Sequence, residues 1–366
     1  MPVVSMIGKA KLAILRLFEI GLMSPVGLCK VMVQNPPDVA RFQISAIEDL
    51  SDAVLGAGLE ATQLANAPVS GSLVFVKGDG IVVSSGLLNG RVALQGALSE
   101  DQVTLGLGLH IPPGSRHWIS QQVETGSVGV WRPGDAHDSL YCEGSLYISA
   151  TLTMDRLAQL AARLGLVLDA RTLPGTGFDS RLLDPDLVRR ICSLVRPLHE
   201  GRSIDPLCIK TMQSELMTAL VTHLAREPRP VFWIPEHKGH AAIVSRARDF
   251  IAANLSDAIS ADDIAAAAGT SRSTLFRAFD VVLGEPPNSY IRKLRLNRIR
   301  NHLASERERT VTVAIAANCW GISELGRLAA WYRELFGELP SQTLARARGS
   351  CAPDAASDGP QLRRFA

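Results

Sequence analysis

Hydrogen-bonding side chains follow a glycine at two places in the last third of the chain. After Gly269 come Arg272, Ser273, Thr274 and Arg277, with the aromatic Phe276 among them. After Gly321 come Arg327 and Arg333. Guanidinium and hydroxyl groups donate hydrogen bonds to phosphate oxygens, and a guanidinium can also bind the edge of a guanine through two parallel bonds. If helices expose these side chains, the residue types suit contact with a nucleic acid.

The elements that carry both clusters follow one repeated pattern. In each copy an alanine-rich helix leads to a glycine turn, and the second helix has apolar residues four apart. Matched positions lie 53 residues apart, or 52 for the turn glycines: Leu275 and Leu328, Phe279 and Tyr332, Gly284 and Gly337, Pro287 and Pro340, Gly269 and Gly321. A shared offset indicates an internal repeat. It predicts two helix-turn-helix units, with two plain helical hairpins as the alternative.

Two further helices should hold these units. The apolar spacing predicts a supporting helix over 243–254 and a long joining helix over 287–304. Five basic residues lie within 292–300 on the joining helix. They either contact backbone phosphates or form a solvated face that pairs with Glu306 and Glu308.

Four motifs give residues 241–347 a specific resemblance to the AraC/XylS family of bacterial transcription regulators. The motifs are the run 271–275, Arg277 with Phe279, the segment 290–295 and the closing segment 336–340. The resemblance implies two helix-turn-helix units on one chain that read neighbouring major-groove segments of double-stranded DNA. It also implies RNA polymerase as a partner. In such a domain Arg277 would contact a base or phosphate, while Arg272 or Ser273 would hold phosphate.

The second unit departs from this pattern. Ala330 occupies the position that matches Arg277, and Ile322 follows the turn glycine where the family usually has phenylalanine. Arg327 matches Thr274, and Arg333 is also available. We therefore expect the second unit to contribute phosphate contacts and less base readout.

The first two-thirds of the chain changes from short apolar runs to amphipathic helices. Glycine-separated runs predict strands at 72–76, 80–85, 90–94, 102–107 and 128–131, typical of a barrel or sandwich. The alanine- and leucine-rich residues 43–66 predict a helix before them. Helical spacing predicts helices over 154–164, 183–198 and 207–225. The predicted fold class is therefore α+β, with an N-terminal β-barrel-like domain flanked by helices. The C-terminal domain is predicted to be all-α, with two helix-turn-helix units joined by a long helix.

Two Pro-Gly-x-x-His motifs, ending in His117 and His137, resemble turns of cupin-like barrels, which serve as sensor domains in AraC-type regulators. In cupin enzymes such histidines bind a metal together with a His-x-His pair and a glutamate, and this sequence has no His-x-His. The alternatives are a histidine that completes a turn by bonding to backbone, or one that contacts a ligand at the barrel mouth. In the last case Trp118, Trp131 and Tyr141 would form an apolar wall. The sequence predicts no metal and no cofactor.

Composition bounds the domain organisation. The 366 residues exceed one ordinary domain. The formal charge is −2 over 1–239 and +3 over 240–347, so the basic excess accompanies the repeat. Proline-marked residues near 229–240 predict a linker. The predicted organisation is a loosely ordered extension over 1–35, a sensor and dimerisation domain over 36–228, a DNA-binding domain over 241–348 and a disordered tail over 349–366.

Cysteine and apolar patterns bear on the compartment. The six cysteines are scattered without a disulfide or zinc spacing, which favours reduced thiols in a cytoplasmic protein. The uncharged stretch 20–29 is too short for a bilayer span, which needs about 20 residues. We expect no membrane partner.

The resemblance to the AraC/XylS family implies a sequence-specific transcription activator that responds to a small effector. The helices over 183–198 and 207–225 would form the dimer contact of a homodimer. One alternative is a metal-dependent cupin-type enzyme fused to a DNA-binding module. A DNA-repair methyltransferase fusion would need a zinc-binding cysteine set and a Pro-Cys-His-Arg acceptor, and the sequence has neither.

Overall fold

The computed structural model describes residues 39–117, 121–202, 204–225, 239–305 and 311–349. Within these ranges a sheet-rich region, 39–225, precedes a helical region, 239–349, which gives a mixed α+β fold. Trp118, Glu306 and Glu308 lie outside the described residues. So do the predicted extension, the predicted linker up to residue 238 and the predicted tail from residue 350.

The sheet-rich region contains two antiparallel sheets. The larger sheet comprises β1 (Val39–Ile44), β3 (Ser70–Gly78), β4 (Ile81–Asn89), β6 (Val103–His110), β9 (Ser127–Trp131), β11 (Ser145–Leu152) and β12 (Gly177–Leu182). The smaller comprises β2 (Glu60–Gln63), β5 (Val92–Ala97), β7 (Arg116–His117), β8 (Gln121–Gln122) and β10 (Ala136–Tyr141). The larger has the strand order β1-β3-β4-β11-β6-β9-β12, and the smaller has the order β2-β5-β10-β7-β8. The five strands predicted from the sequence are confirmed as β3, β4, β5, β6 and β9.

Strand β3 shows why the larger sheet is covered on both faces. Side chains alternate between the two faces of a strand. Leu73 and Phe75 belong to a hydrophobic cluster shared with the smaller sheet, whereas Val74 and Val76 belong to a second cluster shared with helices. Those helices are α1 (Met154–Arg163), α2 (Pro185–His199) and α3 (Pro206–Leu224). The region is therefore layered as sheet, sheet and helices, and neither strand order closes on itself among the described residues.

The helix predicted over residues 43–66 is wrong. Strand β1 ends at Ile44, a short 3-10 helix spans Ile47–Asp52, and β2 pairs with β5. Gly56 and Gly58 have φ angles of +79° and +64°, which interrupt any right-handed helix. Tertiary pairing thus overrides the helical preference of the alanine and leucine residues.

Seven helices form the helical region among the described residues. The predicted supporting and joining helices are confirmed as α4 and α7. The seven are α4 (Gly239–Ala253), α5 (Ala261–Ala267), α6 (Arg272–Leu283), α7 (Pro287–Ser305), α8 (Val313–Cys319), α9 (Leu325–Phe336) and α10 (Pro340–Gly349). We call α5 with α6 the first helix pair and α8 with α9 the second.

The two pairs end alike and bury matched residues. Gly284 and Gly337 cap α6 and α9 in the left-handed conformation, with φ angles of +67° and +74°. In each pair the two apolar residues four apart on the second helix are buried, namely Leu275, Phe279, Leu328 and Tyr332. The repeat in the sequence is therefore a repeat in packing. No helix of the described ranges is long and apolar enough to cross a membrane.

Candidate nucleic-acid interface and sensor cavity

The start of α6 is an exposed cluster of hydrogen-bonding groups. The Ser271 side chain caps the helix by accepting a bond from the Thr274 amide, and its hydroxyl lies 2.9 Å from the Thr274 hydroxyl and 3.1 Å from that of Ser273. Arg272 and Ser273 are exposed, while Thr274 is half-buried. A helix N-terminus carries partial positive charge from its unpaired amides. This end of α6 therefore suits an anion such as a phosphate.

The two arginines of α6 differ in their freedom. Arg272 lies 3.5 Å from an Asp262 carboxylate oxygen, and its guanidinium is 5.9 Å from the ring centre of half-buried Phe276. Arg277 is exposed and forms no hydrogen bond or ion pair with any residue that the structure describes. A ligand can therefore bind Arg277 without first breaking an internal contact.

The start of α9 differs from the start of α6 because its N-cap residue carries a negative charge. Its N-cap is Glu324, which makes no side-chain capping bond, where α6 has Ser271. Arg327 pairs with Glu324 at 2.9 Å, and both side chains are largely exposed. Arg333 is exposed on the last turns of α9, and Ala330 is exposed at the position that matches Arg277. The sequence prediction overlooked Glu324. Its negative carboxylate would repel a nearby phosphate unless the positive charge of Arg327 neutralises it.

The basic residues of α7 contact the protein itself. Lys293 binds Glu285 at 2.7 Å, Arg295 donates to the carbonyls of Leu255 and Asp257, and Arg292 lies 5.0 Å from the Trp331 ring centre. Towards the sheet-rich region, α7 pairs Arg298 with Glu60 at 2.7 Å and Arg300 with Glu48 at 2.6 Å. The predicted phosphate contact would have to break these interactions.

A cavity of about 40 Å³ lies between the two sheets. Its polar and aromatic lining consists of Trp131, His137, Tyr141, Tyr147, Ser149 and Phe178. His117 packs edge-on against the Trp131 and Phe178 rings, with centroids 5.8 and 5.1 Å apart, and lies 5.6 Å from the His137 ring. The structure thus brings together four of the five residues predicted to bind an effector; the fifth, Trp118, is not among the described residues.

The titratable groups of this cavity are held uncharged. Burial lowers the pKa of His137 to about 4, against a smaller opposing effect of Asp138. Burial, and then the neighbouring His137, hold the pKa of His117 well below its usual value. Burial raises the pKa of Tyr141 and of Tyr147. Since no Asp, Glu, Lys or Arg of the described residues lines the cavity, its wall carries no charge near neutral pH.

Two buried polar atoms at the cavity remain available. His137 Nδ1 and Trp131 Nε1 have no hydrogen-bond partner among the described residues. Such atoms are uncommon in folded proteins. The other ring nitrogen of His137, Nε2, lies 3.4 Å from the Tyr141 hydroxyl. In the described part of the chain no three His, Cys, Asp or Glu side chains converge as a metal site would require.

The two matched helix pairs, with polar and basic side chains at the start of each second helix, define a DNA-binding domain of the helix-turn-helix class. The model of a family described as "Helix-turn-helix domain" matches residues 264–346. The chain is 34% identical over 106 residues to XylDLEGF operon transcriptional activator 2 of Pseudomonas putida, an alignment that covers 29% of this chain and 68% of that protein. The chain belongs to the AraC/XylS family of transcription regulators.

Two further proteins are similar to this chain. XylDLEGF operon transcriptional activator 3 of Pseudomonas putida is 38% identical over 101 residues, which are 28% of this chain and only 30% of that protein. A solved structure, described as a probable AraC family transcriptional regulator from Rhodopseudomonas palustris, is 36% identical; the match covers 29% of this chain and 97% of that one, with a TM-score of 0.28.

Proposed function

We propose that this protein is a cytoplasmic, sequence-specific transcription regulator that activates genes in response to a small effector. The observation that carries the proposal is Arg277, an exposed arginine on the second helix of the first helix pair that has no hydrogen bond or ion pair to any described residue. The activating sign is supported by the relatives, whose names describe transcriptional activators. Membership of a regulator family favours this function over a metal-dependent cupin enzyme.

In this proposal α6 and α9 are the recognition helices of two helix-turn-helix units. Arg277 reads a base edge, and the exposed N-terminal groups of α6 hold phosphates. The second unit contributes phosphate contacts because its recognition helix begins with the Glu324–Arg327 pair. The DNA-contacting residues proposed are Arg272, Ser273, Thr274, Phe276, Arg277, Arg327 and Arg333. RNA polymerase is the proposed partner once DNA is bound.

The sheet-rich region is proposed as a cupin-like sensor, with the cavity between its sheets as the effector site. A wall without charges does not compensate a buried ion, so the effector should be uncharged. An engineered cavity of about 150 Å³ admits benzene. The cavity of about 40 Å³ must therefore widen to accept a ring-sized molecule. His137 Nδ1 and Trp131 Nε1 supply the polar contacts.

A homodimer through α2 and α3 remains part of the proposal, as do the domain boundaries predicted from the sequence. The apolar faces of both helices pack on the larger sheet. Their outer side still holds a groove of about 340 Å³ lined by residues of both helices. Leu207, at the start of α3, is 69% exposed. A partner helix could cover these features.

DNA binding is tested by selecting duplexes from a random-sequence pool with the full-length protein, followed by footprinting of the enriched sequence. We expect one enriched motif with two protected segments about one helical turn apart on one face of the duplex. A pool that stays random after repeated selection would contradict the function, and a single protected segment would contradict reading by two units.

The sensor proposal predicts the charge of compounds that bind. Single-ring compounds would be screened as matched amide and carboxylate pairs, with the thermal midpoint of the full-length protein as the readout. Amides should raise the midpoint and carboxylates should not. The shift should disappear in the Trp131→Leu variant, which loses the Nε1 donor. Stabilisation by carboxylates that survives this substitution would count against the cavity as the effector site.

A further inference from the structure

One patch of the sheet-rich region contacts the ends of both proposed recognition helices. We define this docking patch as residues 63–68, which begin at Gln63, the last residue of β2, together with Arg91. The amides of Leu64 and Ala65 donate to the Arg91 carbonyl at 2.9 and 3.3 Å. These bonds tie Arg91 to the 63–68 segment, so the patch behaves as a single unit.

The patch holds the C-terminal end of α6. Arg91 Nη2 donates to the carbonyl of Leu283, the last residue of α6, at 2.6 Å. The last carbonyls of a helix lack partners within the helix and carry partial negative charge. A guanidinium at this position therefore satisfies an acceptor and complements the charge of the helix end.

The same patch holds the C-terminal end of α9. The Gln63 side-chain amide donates to the carbonyl of Leu335, and the Asn66 amide donates to a Glu334 carboxylate oxygen at 2.8 Å. Pro68 lies so close to Gly337 that a Cβ added there would be 2.8 Å from its Cγ atom. The patch is thus fitted against the glycine cap of α9.

Between these two ends the patch binds the joining helix. The backbone amide of Gln63 donates to Asn297 Oδ1 at 2.9 Å, and Asn297 Nδ2 donates to the backbone carbonyl of Gln63 at 3.1 Å. Both residues are buried. Lys293 Nζ donates to the Leu64 carbonyl at 2.7 Å. Such a reciprocal pair of buried bonds fixes the position of α7 against the patch.

The two helix pairs do not share one hydrophobic core. Leu275 and Phe279 lie in a cluster with α4, whereas Leu328 and Tyr332 lie in a cluster that continues between the two sheets. Half-buried Trp320 packs against both clusters. The orientation of α6 relative to α9 therefore depends on α7 and on whatever else contacts both units.

We propose that the docking patch sets the relative orientation of α6 and α9, and so the spacing of the two DNA segments that the protein accepts. Its residues are positioning residues, because the patch contacts the C-terminal ends of both helices and leaves their N-terminal side chains exposed. The inference rests on the proposed reading of DNA by two units. It adds that a part of the chain remote from DNA determines spacing.

The test compares the full-length protein with the Arg91→Gln variant on duplexes that carry the selected motif. One, two or five base pairs are inserted between the two protected segments, which rotates one segment relative to the other by about 35° per base pair. The wild type should lose at least about tenfold in affinity on the worst insertion. In Arg91→Gln the freed α6 end should reduce that loss to about threefold or less.

Two further variants make the result specific. Asn66→Ala removes a bond at the α9 end and should relax the spacing in the same way. Arg132→Gln is the matched control, because Arg132 also donates to a carbonyl, that of Leu173 at 2.6 Å, but within the sheet-rich region. It should keep the wild-type spacing profile.

The outcomes separate this inference from the proposed function. If the wild type protects two segments and both docking-patch variants keep its full insertion penalty, α7 alone sets the spacing and the inference is overturned. If the wild type protects a single segment, the proposed reading by two units fails instead. Weaker binding of Arg91→Gln to every duplex by one common factor would likewise overturn a positioning role.

Discussion

Replacing Arg277 with alanine should remove sequence discrimination at one position and leave the fold intact. The Arg277 side chain is exposed and contacts no described residue through a hydrogen bond or ion pair. Alanine is also the better helix former. We therefore expect the free energy of unfolding to change by no more than about 0.5 kcal/mol.

The expected loss in DNA binding follows from the free guanidinium. A bidentate arginine–guanine contact discriminates against the wrong base by about 1–3 kcal/mol, or roughly 5- to 150-fold in affinity. Because Arg277 is paired with no residue that the structure describes, it should supply this contact without an offsetting loss. On random DNA, where the contact is not made, Arg277→Ala should bind within about twofold of the wild type.

Arg327→Ala is the matched comparison, since Arg327 is an exposed arginine at the start of α9, the other proposed recognition helix. It should weaken binding on selected and random duplexes alike and reduce the salt slope by about 0.9. Fluorescence anisotropy titrations of both variants, on both duplexes and at several salt concentrations, give these quantities. An equal loss on selected and random DNA for Arg277→Ala would refute the assignment of base readout to this residue.

Two predictions concern stability. Burial, and then the positive charges of Arg41 and Arg196, lower the pKa of His199 to about 4, so the unfolded state binds more protons between about pH 6.5 and 4. The contribution of His199 to the free energy of unfolding, up to about 3 kcal/mol, should be lost as pH falls through this window. In thermal melts of a His199→Gln variant, the melting temperature should therefore fall less steeply with decreasing pH than in the wild type. An unchanged slope would exclude His199 as the source. Gly284→Ala should lower the free energy of unfolding by about 1 kcal/mol through backbone strain. Gly337→Ala should lower it by about 1 kcal/mol more, because the added Cβ meets Pro68 of the docking patch. Equal decreases for the two variants in urea titrations would argue against the contact between Gly337 and Pro68.

The helical region was predictable because its determinants are local and occur twice. Turn glycines, apolar pairs four apart and the caps Gly284 and Gly337 all lie within short windows of sequence. The matched spacing then separates these windows from ordinary helices. The strands β3 to β6 were predictable for a similar reason, because glycines separate runs of residues with strong β propensity.

The sequence could not reveal the contacts between the two regions. Gln63 and Asn297 lie 234 positions apart, and neither occurs in a motif. From sequence alone, a glutamine at the end of a strand is expected at the surface. In the fold Gln63 is buried because α7 packs beside it. The misassigned helix over 43–66 has the same origin, since β2 exists only through its pairing with β5.

The joining helix α7 shows why a basic sequence is weak evidence for where DNA lies. Its five basic residues would suffice for a phosphate-binding face, yet the protein uses the charge internally. Arg300 is 5% exposed and binds Glu48 of one region and Glu338 of the other. Burial alone would lower its pKa, but the neighbouring carboxylates, with Glu48 foremost, hold it above the ordinary value. Removing the carboxylate partners of a buried arginine strongly destabilises a fold. The charge of Arg300 therefore holds the two regions together and is not available to bind a phosphate.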